Sequence, residues 1–129
     1  MGAKYLIDSN VLIEYIGLLL PPIPHSKLSS IIDDEYNISF INKIEVLGHS
    51  SSNEEIAAFI NAANIYNINL KIIDETIRLR KHLKIKLPDA IIAATATTNN
   101  LILITRNIND FKSIDNLIVQ NPYSWNIEE

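Results

Sequence analysis

The sequence predicts an α/β fold, a three-layer α/β/α sandwich in which a mainly parallel sheet lies between helices. Residues 3–7 and residues 101–105 are apolar without polar alternation, which is typical of strands that are covered on both faces. Strand-like and helix-like segments alternate along the chain, as they do in proteins with a parallel sheet. Ligands of such sheets bind beyond the carboxyl ends of the strands. We therefore expect a site where polar residues follow these two segments.

The spacing of apolar residues predicts the other elements. Apolar residues recur at helical spacing between residues 56 and 63, and Ser52 and Glu55 before them form a predicted capping box. Pro88 suits the first turn of a helix that continues to about Thr98, and Asp74 is the predicted cap of the helix before it. The further predictions are helices over 11–19, 26–33, 41–47 and 74–86, strands over 37–40, 69–73 and 117–119, and turns at the prolines of 21–24 and at 106–110.

Length and composition indicate one domain over residues 1–129, and the 47% of apolar residues is enough for a real core. The chain has no cysteine, which excludes disulfides, a thiolate metal site and a cysteine nucleophile and is compatible with a cytoplasmic protein. No signal peptide is recognisable, and residues 11–23 are too short and too interrupted by Glu14 and prolines to span a bilayer. We expect a protein that does not associate with membranes.

The formal net charge of −4 disfavours a nucleic-acid binder, because phosphate contacts require lysine and arginine. Acids that hold cations would reverse this local effect. The basic residues are also concentrated in one stretch, residues 78–86, which we call the basic segment. Either it is a solvated helix face or it contacts the phosphates of a nucleic acid, and in the second case Lys84 and Lys86, nearest to Pro88, are the best placed.

Acidic residues occur at positions that the predicted fold makes unusual. Asp8 directly follows the first buried strand, where it either caps the next helix or serves as a ligand while Ser9 provides the cap. Glu45 lies on a short apolar helix, where it is either a glutamate at the solvent edge or part of a site. Asp89 begins a helix that is apolar nearly all round, and burying a carboxylate without a partner is costly. No basic residue is expected to pair with Asp89, so a bound metal ion is the economical explanation.

The turn after the second buried strand adds Thr105, Asn107 and Asp110. Such residues are common in ordinary turns, but here they follow a strand whose end should lie beside Asp8. Acids crowded into one pocket are unstable unless a cation is bound. Oxygen ligands without cysteine favour Mg²⁺ or Mn²⁺.

Four segments in this order, YLIDSNVLIEYI, INKIEVLGH, LPDAIIAATA and LILITRNINDF, resemble the PIN-domain ribonucleases, and in particular the VapC-type toxins of toxin–antitoxin pairs. The resemblance covers residues 4–123 and implies a PIN-like fold. It implies that Asp8, Glu45 and Asp89 are the three acids shared across the family and that they ligate metal. The position of the family's fourth acid holds Asn107, with Asp110 three residues on, so either could supply this ligand. Asn10 and Thr105 match positions that support the site.

The resemblance further implies an endoribonuclease that depends on Mg²⁺ or Mn²⁺, cuts tRNA or ribosomal RNA, forms a homodimer and is neutralised by a cognate antitoxin. The apolar run Leu18, Leu19 and Leu20 exceeds what one short helix can bury, so we expect a second copy or the antitoxin to cover part of it.

Two other classes of function compete with a nuclease. An aspartyl-phosphate phosphatase would have an acid where Asn10 stands, and a receiver domain would have paired acids after the first strand, which this chain lacks. The more serious alternative is a PIN-like module that binds a protein or RNA partner without cleaving it. Asn107 in place of an acid supports that alternative, and the three intact acids oppose it.

Overall fold

A computed structural model describes residues 2–125 of the chain, in which short parallel strands lie between helices. The strands are β1 (Tyr5–Ile7), β2 (Asn37–Ser39), β3 (Asn64–Tyr66), β4 (Ile102–Ile104) and β5 (Val119–Gln120). One sheet has the order β1-β4-β5 and the other pairs β2 with β3. The helices are α1 (Ser9–Ile16), α2 (Pro22–Asp34), α3 (Phe40–Leu47), α4 (Glu54–Asn61), α5 (Leu70–His82), α6 (Leu87–Thr98) and α7 (Ile108–Phe111), followed by a 3₁₀ turn at Pro122–Ser124.

The carboxyl ends of β1, β4 and β5 meet at one edge, which we call the carboxyl edge. The Asp8 backbone N–H donates to the Ile104 carbonyl at 2.9 Å, and the Thr105 N–H donates to the Gln120 carbonyl at 3.0 Å. Asn37 links the second sheet to the first at the opposite end, where its side-chain amide donates to the Tyr5 carbonyl at 2.9 Å. Residues that follow β1 and β4 are therefore held side by side.

The two faces of the sheet pack against different helices. Leu6 and Leu103 are buried on one face with Ile92 of α6, whereas Ile7 and Ile104 are buried on the other with Leu12 of α1. Neighbouring residues of a strand point to opposite faces, so the sheet is apolar on both sides. This arrangement confirms the α/β/α layers and explains why both buried strands lack polar alternation.

The predicted strand over 69–73 is wrong, because this stretch begins α5. The Asn69 side chain accepts the Ile72 backbone N–H at 2.9 Å and caps the helix, so Asp74 is not the cap. The strand of this region is instead β3, which the sequence reading missed. Asn64, Ile65 and Tyr66 are each exposed or only half-buried, and so short a strand carries too little apolar pattern to be recognised.

Other bounds moved by smaller amounts. The prolines form the first turn of α2, which begins at Pro22, and α1 ends at Ile16. Residues 106–110 were predicted as a turn, and their second half forms the short helix α7. The helix predicted to reach Lys86 ends at His82, and the helix that starts next to Pro88 ends at Thr98 as predicted. No helix among residues 2–125 is long and apolar enough to cross a bilayer.

The predicted capping box of Ser52 and Glu55 is also wrong. Asn53 is the N-cap of α4, and its side chain accepts the Ile56 backbone N–H at 2.9 Å. Asn53→Ala should therefore lower the free energy of unfolding by about 1 kcal/mol, because a first-turn N–H loses its acceptor. Ser52→Ala, the matched control, should change it by less than about 0.5 kcal/mol. Urea unfolding of both variants measures the difference, and a larger loss for Ser52→Ala would restore the original prediction.

Candidate active site

Among the acids at the carboxyl edge, Asp8 is the most deeply buried, with only 6% of its surface exposed. It is the N-cap residue of α1, and one carboxylate oxygen accepts the Ser9 backbone N–H at 2.9 Å and the Asn42 amide at 3.2 Å. The other oxygen accepts the Thr105 hydroxyl at 2.7 Å. Burial raises the pKa of the Asp8 carboxyl, and the charge of Asp110 adds to the rise, while these three hydrogen bonds oppose it. Asp8 thus both caps a helix and presents a fixed carboxylate.

The two supporting residues act on different parts of the site. Thr105 is fully buried, and its hydroxyl donates to Asp8 while it accepts the Asn107 backbone N–H at 3.1 Å. Asn10 accepts the Arg106 backbone N–H at 3.4 Å. Thr105 therefore orients Asp8 directly, whereas Asn10 connects the start of α1 to the turn after β4.

Glu45 of α3 is exposed, and one of its carboxylate oxygens accepts the Ser9 hydroxyl at 2.6 Å. This contact corrects the reading of Ser9 as an alternative cap, because its side chain bonds to Glu45 and the cap position belongs to Asp8. Glu45 is consequently tied to the residue beside Asp8, although 37 positions separate the two acids along the chain.

Asp89 lies half-buried in the first turn of α6. Burial raises the pKa of its carboxyl, and the negative charges of Asp8, Asp110 and Glu45 raise it further. The positive charge of Lys86 opposes this rise, but among residues 2–125 no salt bridge pairs a basic side chain with Asp89. The other three carboxylates of the site are therefore close enough to act on Asp89 through their charge.

The structure separates the roles of Asn107 and Asp110. Asp110 is exposed, yet its charge raises the pKa of both Asp8 and Asp89. Asn107 is exposed at the N-cap position of α7, and its side chain makes no capping hydrogen bond there. The fourth negative charge of the site thus comes from Asp110.

The residues of this site fit a hard divalent cation, although among residues 2–125 no three His, Cys, Asp or Glu side chains are already gathered into a metal-ligand cluster. Neighbouring negative charges raise the pKa of Asp8 and of Asp89, yet the acids do not converge on one point, as expected for like charges. A carboxylate has about four acceptor directions, and Asp8 uses three of them on protein donors. Oxygen donors of this kind suit Mg²⁺ or Mn²⁺.

The basic segment divides into a part near the site and a part away from it. Lys86 lies close enough to affect the pKa of Asp89, and Lys84 is exposed just before it. Arg78 instead forms a bidentate ion pair with Glu75, with both distances 2.8 Å. Because its guanidinium is paired with Glu75, Arg78 is not among the residues of the basic segment that we expect to contact RNA phosphates.

Two contacts at the site were missed by the sequence reading. Asn42 is fully buried and reaches both Asp8 and Ser9. One sign of this contact was present in the sequence: Asn42 is a polar residue among the apolar residues of α3, three positions before Glu45. Arg106 is fixed by an ion pair with Glu14 and lies 4.4 Å from the centre of the Tyr123 ring, which anchors the turn that carries Asn107.

The raised pKa of Asp89 predicts a pH-dependent stability difference. The unfolded chain ionises near the ordinary value of 3.8, whereas the folded protein holds its proton to higher pH. The stability lost by ionising Asp89 is therefore absent below pH 3.8, grows as the pH rises through the folded pKa, and is complete above the folded pKa. Without metal, Asp89→Asn should have a higher Tm than the parent at pH 7, and the gap should close near pH 3.8. Thermal melts in chelator measure it; an equal Tm at pH 7 would contradict the stated cause.

Comparison with known proteins identifies the family and the fold of this chain. The family model described as PIN domain matches residues 5–117. A chain of a toxin–antitoxin complex from Klebsiella pneumoniae is 32% identical, with 93% of this chain and 98% of that chain covered and a TM-score of 0.73. A chain of VapBC2 from Rickettsia felis, bound to a DNA fragment from their promoter, is 26% identical, with 95% and 99% covered and a TM-score of 0.76. A chain of VapBC-1 from nontypeable Haemophilus influenzae is 26% identical, with 92% of this chain and 98% of that chain covered and a TM-score of 0.75. No curated protein sequence matches this chain.

The protein belongs to the PIN-domain family. Its similarity to the VapBC structures groups it with the VapC-type members. The PIN-like fold predicted from the sequence is confirmed.

Proposed function

We propose that this protein is a metal-dependent endoribonuclease and the toxin of a toxin–antitoxin pair. The observation that carries the proposal is the Asp8 carboxylate, which is buried at the carboxyl edge and held by Ser9, Asn42 and Thr105. Membership of the PIN family supports a nuclease. The charges of Asp8, Glu45 and Asp110 all act on Asp89, and a phosphodiesterase that uses a metal ion requires such neighbouring carboxylates.

Asp8, Glu45, Asp89 and Asp110 would hold Mg²⁺ or Mn²⁺, and Asn107 would contact the site through water. A bound ion supplies a water molecule of lowered pKa and stabilises the charge that develops on the scissile phosphate. The chain contributes the rest: Thr105 and Asn42 fix the Asp8 carboxylate, and Ser9 fixes Glu45. Lys86 places a positive charge beside Asp89, where an RNA backbone would approach.

The partners follow from the same family. The similar solved structures are toxin–antitoxin and VapBC complexes, which supports a cognate antitoxin for this chain. A homodimer and a cytoplasmic location, which the sequence resemblance implies, are part of the same proposal. Leu18 and Leu19 are 76% and 67% exposed and remain candidates for coverage by a partner. Leu20 is only 7% exposed and belongs to the core, so the prediction that a partner covers it was wrong.

Lys84 and Lys86 should bind the RNA phosphates that flank the cut. The double change Lys84→Ala, Lys86→Ala should raise KM about tenfold and flatten its salt dependence, because fewer counterions are released on binding. The turnover rate at saturating RNA should change little. Lys4→Ala, Lys71→Ala removes the same charge before β1 and at the far end of α5 and serves as the control. Equal KM and salt slope in parent and Lys84/Lys86 variant would reduce the segment to a solvated face.

A titration of Mn²⁺ against RNA cleavage tests the proposed function. In chelator the purified protein should leave a mixture of tRNA and ribosomal RNA intact, and added Mn²⁺ or Mg²⁺ should restore cleavage at internal bonds. Cleavage that persists in chelator would rule out the metal. Tight RNA or antitoxin binding without cleavage at any metal concentration would establish the alternative, a PIN-like binding module, which the amide at Asn107 favours.

A further inference from the structure

We propose that Asn42 is a positioning residue that sets the placement of Asp8 and Glu45 relative to each other, with Ser9 as the link to Glu45. This inference rests on the proposed function and adds two residues to it. Asn42 lies on α3 one turn before Glu45, and its side chain is fully buried between α3 and the start of α1. It therefore occupies the boundary between the elements that carry these two acids.

The orientation of the Asn42 amide is fixed by its own helix. The Ser39 backbone N–H donates to Asn42 Oδ1 at 2.8 Å, as part of the capping box of α3. Only the oxygen of the amide can accept this bond. The amide nitrogen must consequently point the other way, toward α1.

The Asn42 nitrogen then makes two contacts on α1. It donates to Asp8 Oδ1 at 3.2 Å and to Ser9 Oγ at 3.0 Å. Because Ser9 Oγ accepts from Asn42, its own proton is free for Glu45, to which it donates at 2.6 Å. The donor and acceptor of every hydrogen bond in this network follow from the cap at Ser39. The network ends on two carboxylates of the site, those of Asp8 and Glu45.

The network holds the side chains of the two acids in place before any cation arrives. Without it, Asp8 would keep Thr105 and the Ser9 N–H, but Glu45 would have no fixed side-chain donor among residues 2–125. Glu45 is exposed, so it would then sample many rotamers. Fixing such a ligand in advance reduces the entropy lost on metal binding, and loss of groups that orient metal ligands typically lowers affinity about 10- to 100-fold.

The test measures Mn²⁺ affinity by calorimetry, beside RNA cleavage and thermal stability. Asn42→Ala should weaken Mn²⁺ binding about 10- to 100-fold, and Ser9→Ala should weaken it about tenfold. Ser9→Thr, which keeps the hydroxyl, should stay within about threefold of the parent. If Asn42→Ala does not fold, the two Ser9 variants decide, since Ser9 is only half-buried.

Asn37→Ala is the matched control for a structural effect. Asn37 is equally buried and bonds to Tyr5, Glu35 and Asn64 at the opposite end of the sheet. Its replacement should lower the Tm as much as Asn42→Ala does, but leave Mn²⁺ affinity unchanged. Parental affinity in Ser9→Ala or Asn42→Ala, or an equal loss in Asn37→Ala, would overturn the inference alone. A parent protein that neither binds Mn²⁺ nor cleaves RNA would overturn the proposed function, and this inference with it.

Discussion

Asp89→Asn should abolish RNA cleavage while leaving the fold intact. A catalytic metal ion stabilises the transition state by several kcal/mol. Losing about 4 kcal/mol corresponds to a rate about a thousandfold lower, since each 1.36 kcal/mol is a factor of ten. Asp89 is better suited to this experiment than Asp8. In Asp8→Asn the new amide would face the hydroxyl of Thr105 or the donors of Ser9 and Asn42, so lost activity would be mixed with lost stability.

Asp74→Asn is the matched control for this experiment. Asp74 is an exposed acid on α5, so its replacement makes the same chemical change away from the carboxyl edge and should leave cleavage at the parental rate. Circular dichroism and the Tm establish that both variants are folded. Cleavage by Asp89→Asn within about tenfold of the parent rate, a change of only 1.36 kcal/mol, would remove Asp89 from the metal site.

Asp110→Asn should have the second largest effect and should decide between the two candidates for the fourth ligand. The charge of Asp110 acts on both Asp8 and Asp89, and Asn107 contributes no charge. We expect Asp110→Asn to lower Mn²⁺ affinity and cleavage about 10- to 100-fold, as loss of a group that shapes a metal site does. Asn107→Ala should change both by less than about threefold, because a contact through water is replaced by another water. The reverse ranking in calorimetry would assign the fourth position to Asn107.

The sequence could predict the layers of the fold because both buried strands have a distinct pattern. Residues 3–7 and 101–105 lack polar alternation since Leu6 and Ile7, like Leu103 and Ile104, pack on opposite faces. Each strand also ends directly at a polar residue, Asp8 or Thr105. Parallel pairing then places those two side chains within 2.7 Å of each other. The candidate site was predictable to that extent.

The wrong predictions concern helix starts, where local hydrogen bonds and not the spacing of apolar residues decide the structure. Asn69 and Asn53 cap helices that had been assigned other starts, because asparagine, serine and aspartate are all good caps and the choice among them depends on local geometry. The part played by Asn42 was not predictable, since an amide in a short helix reveals its partners only when α1 and α3 are packed together. The ion pair between Arg78 of the basic segment and Glu75 was likewise not predictable, because it depends on the side-chain rotamers of both residues.

The fourth acid shows a different limit. Position 107 was selected by its place in a motif, whereas α7 brings Asp110 to the same edge one helical turn later. A turn predicted over 106–110 could not distinguish them, because the short helix in its second half decides which side chain approaches Asp8. The structure shows that the charge of Asp110 acts on Asp8 and Asp89, and the choice between Asn107 and Asp110 as the fourth ligand stays a prediction.

Anomalous diffraction from crystals grown with Mn²⁺ would locate the proposed metal ion. We expect a manganese peak at the carboxyl edge that is coordinated by Asp8 and Asp89, with Glu45 and Asp110 bound directly or through water. We also expect the peak to be missing in crystals of Asp89→Asn. A peak at another place on the protein, or none at an Mn²⁺ concentration that supports RNA cleavage in solution, would contradict a metal site built from these four acids.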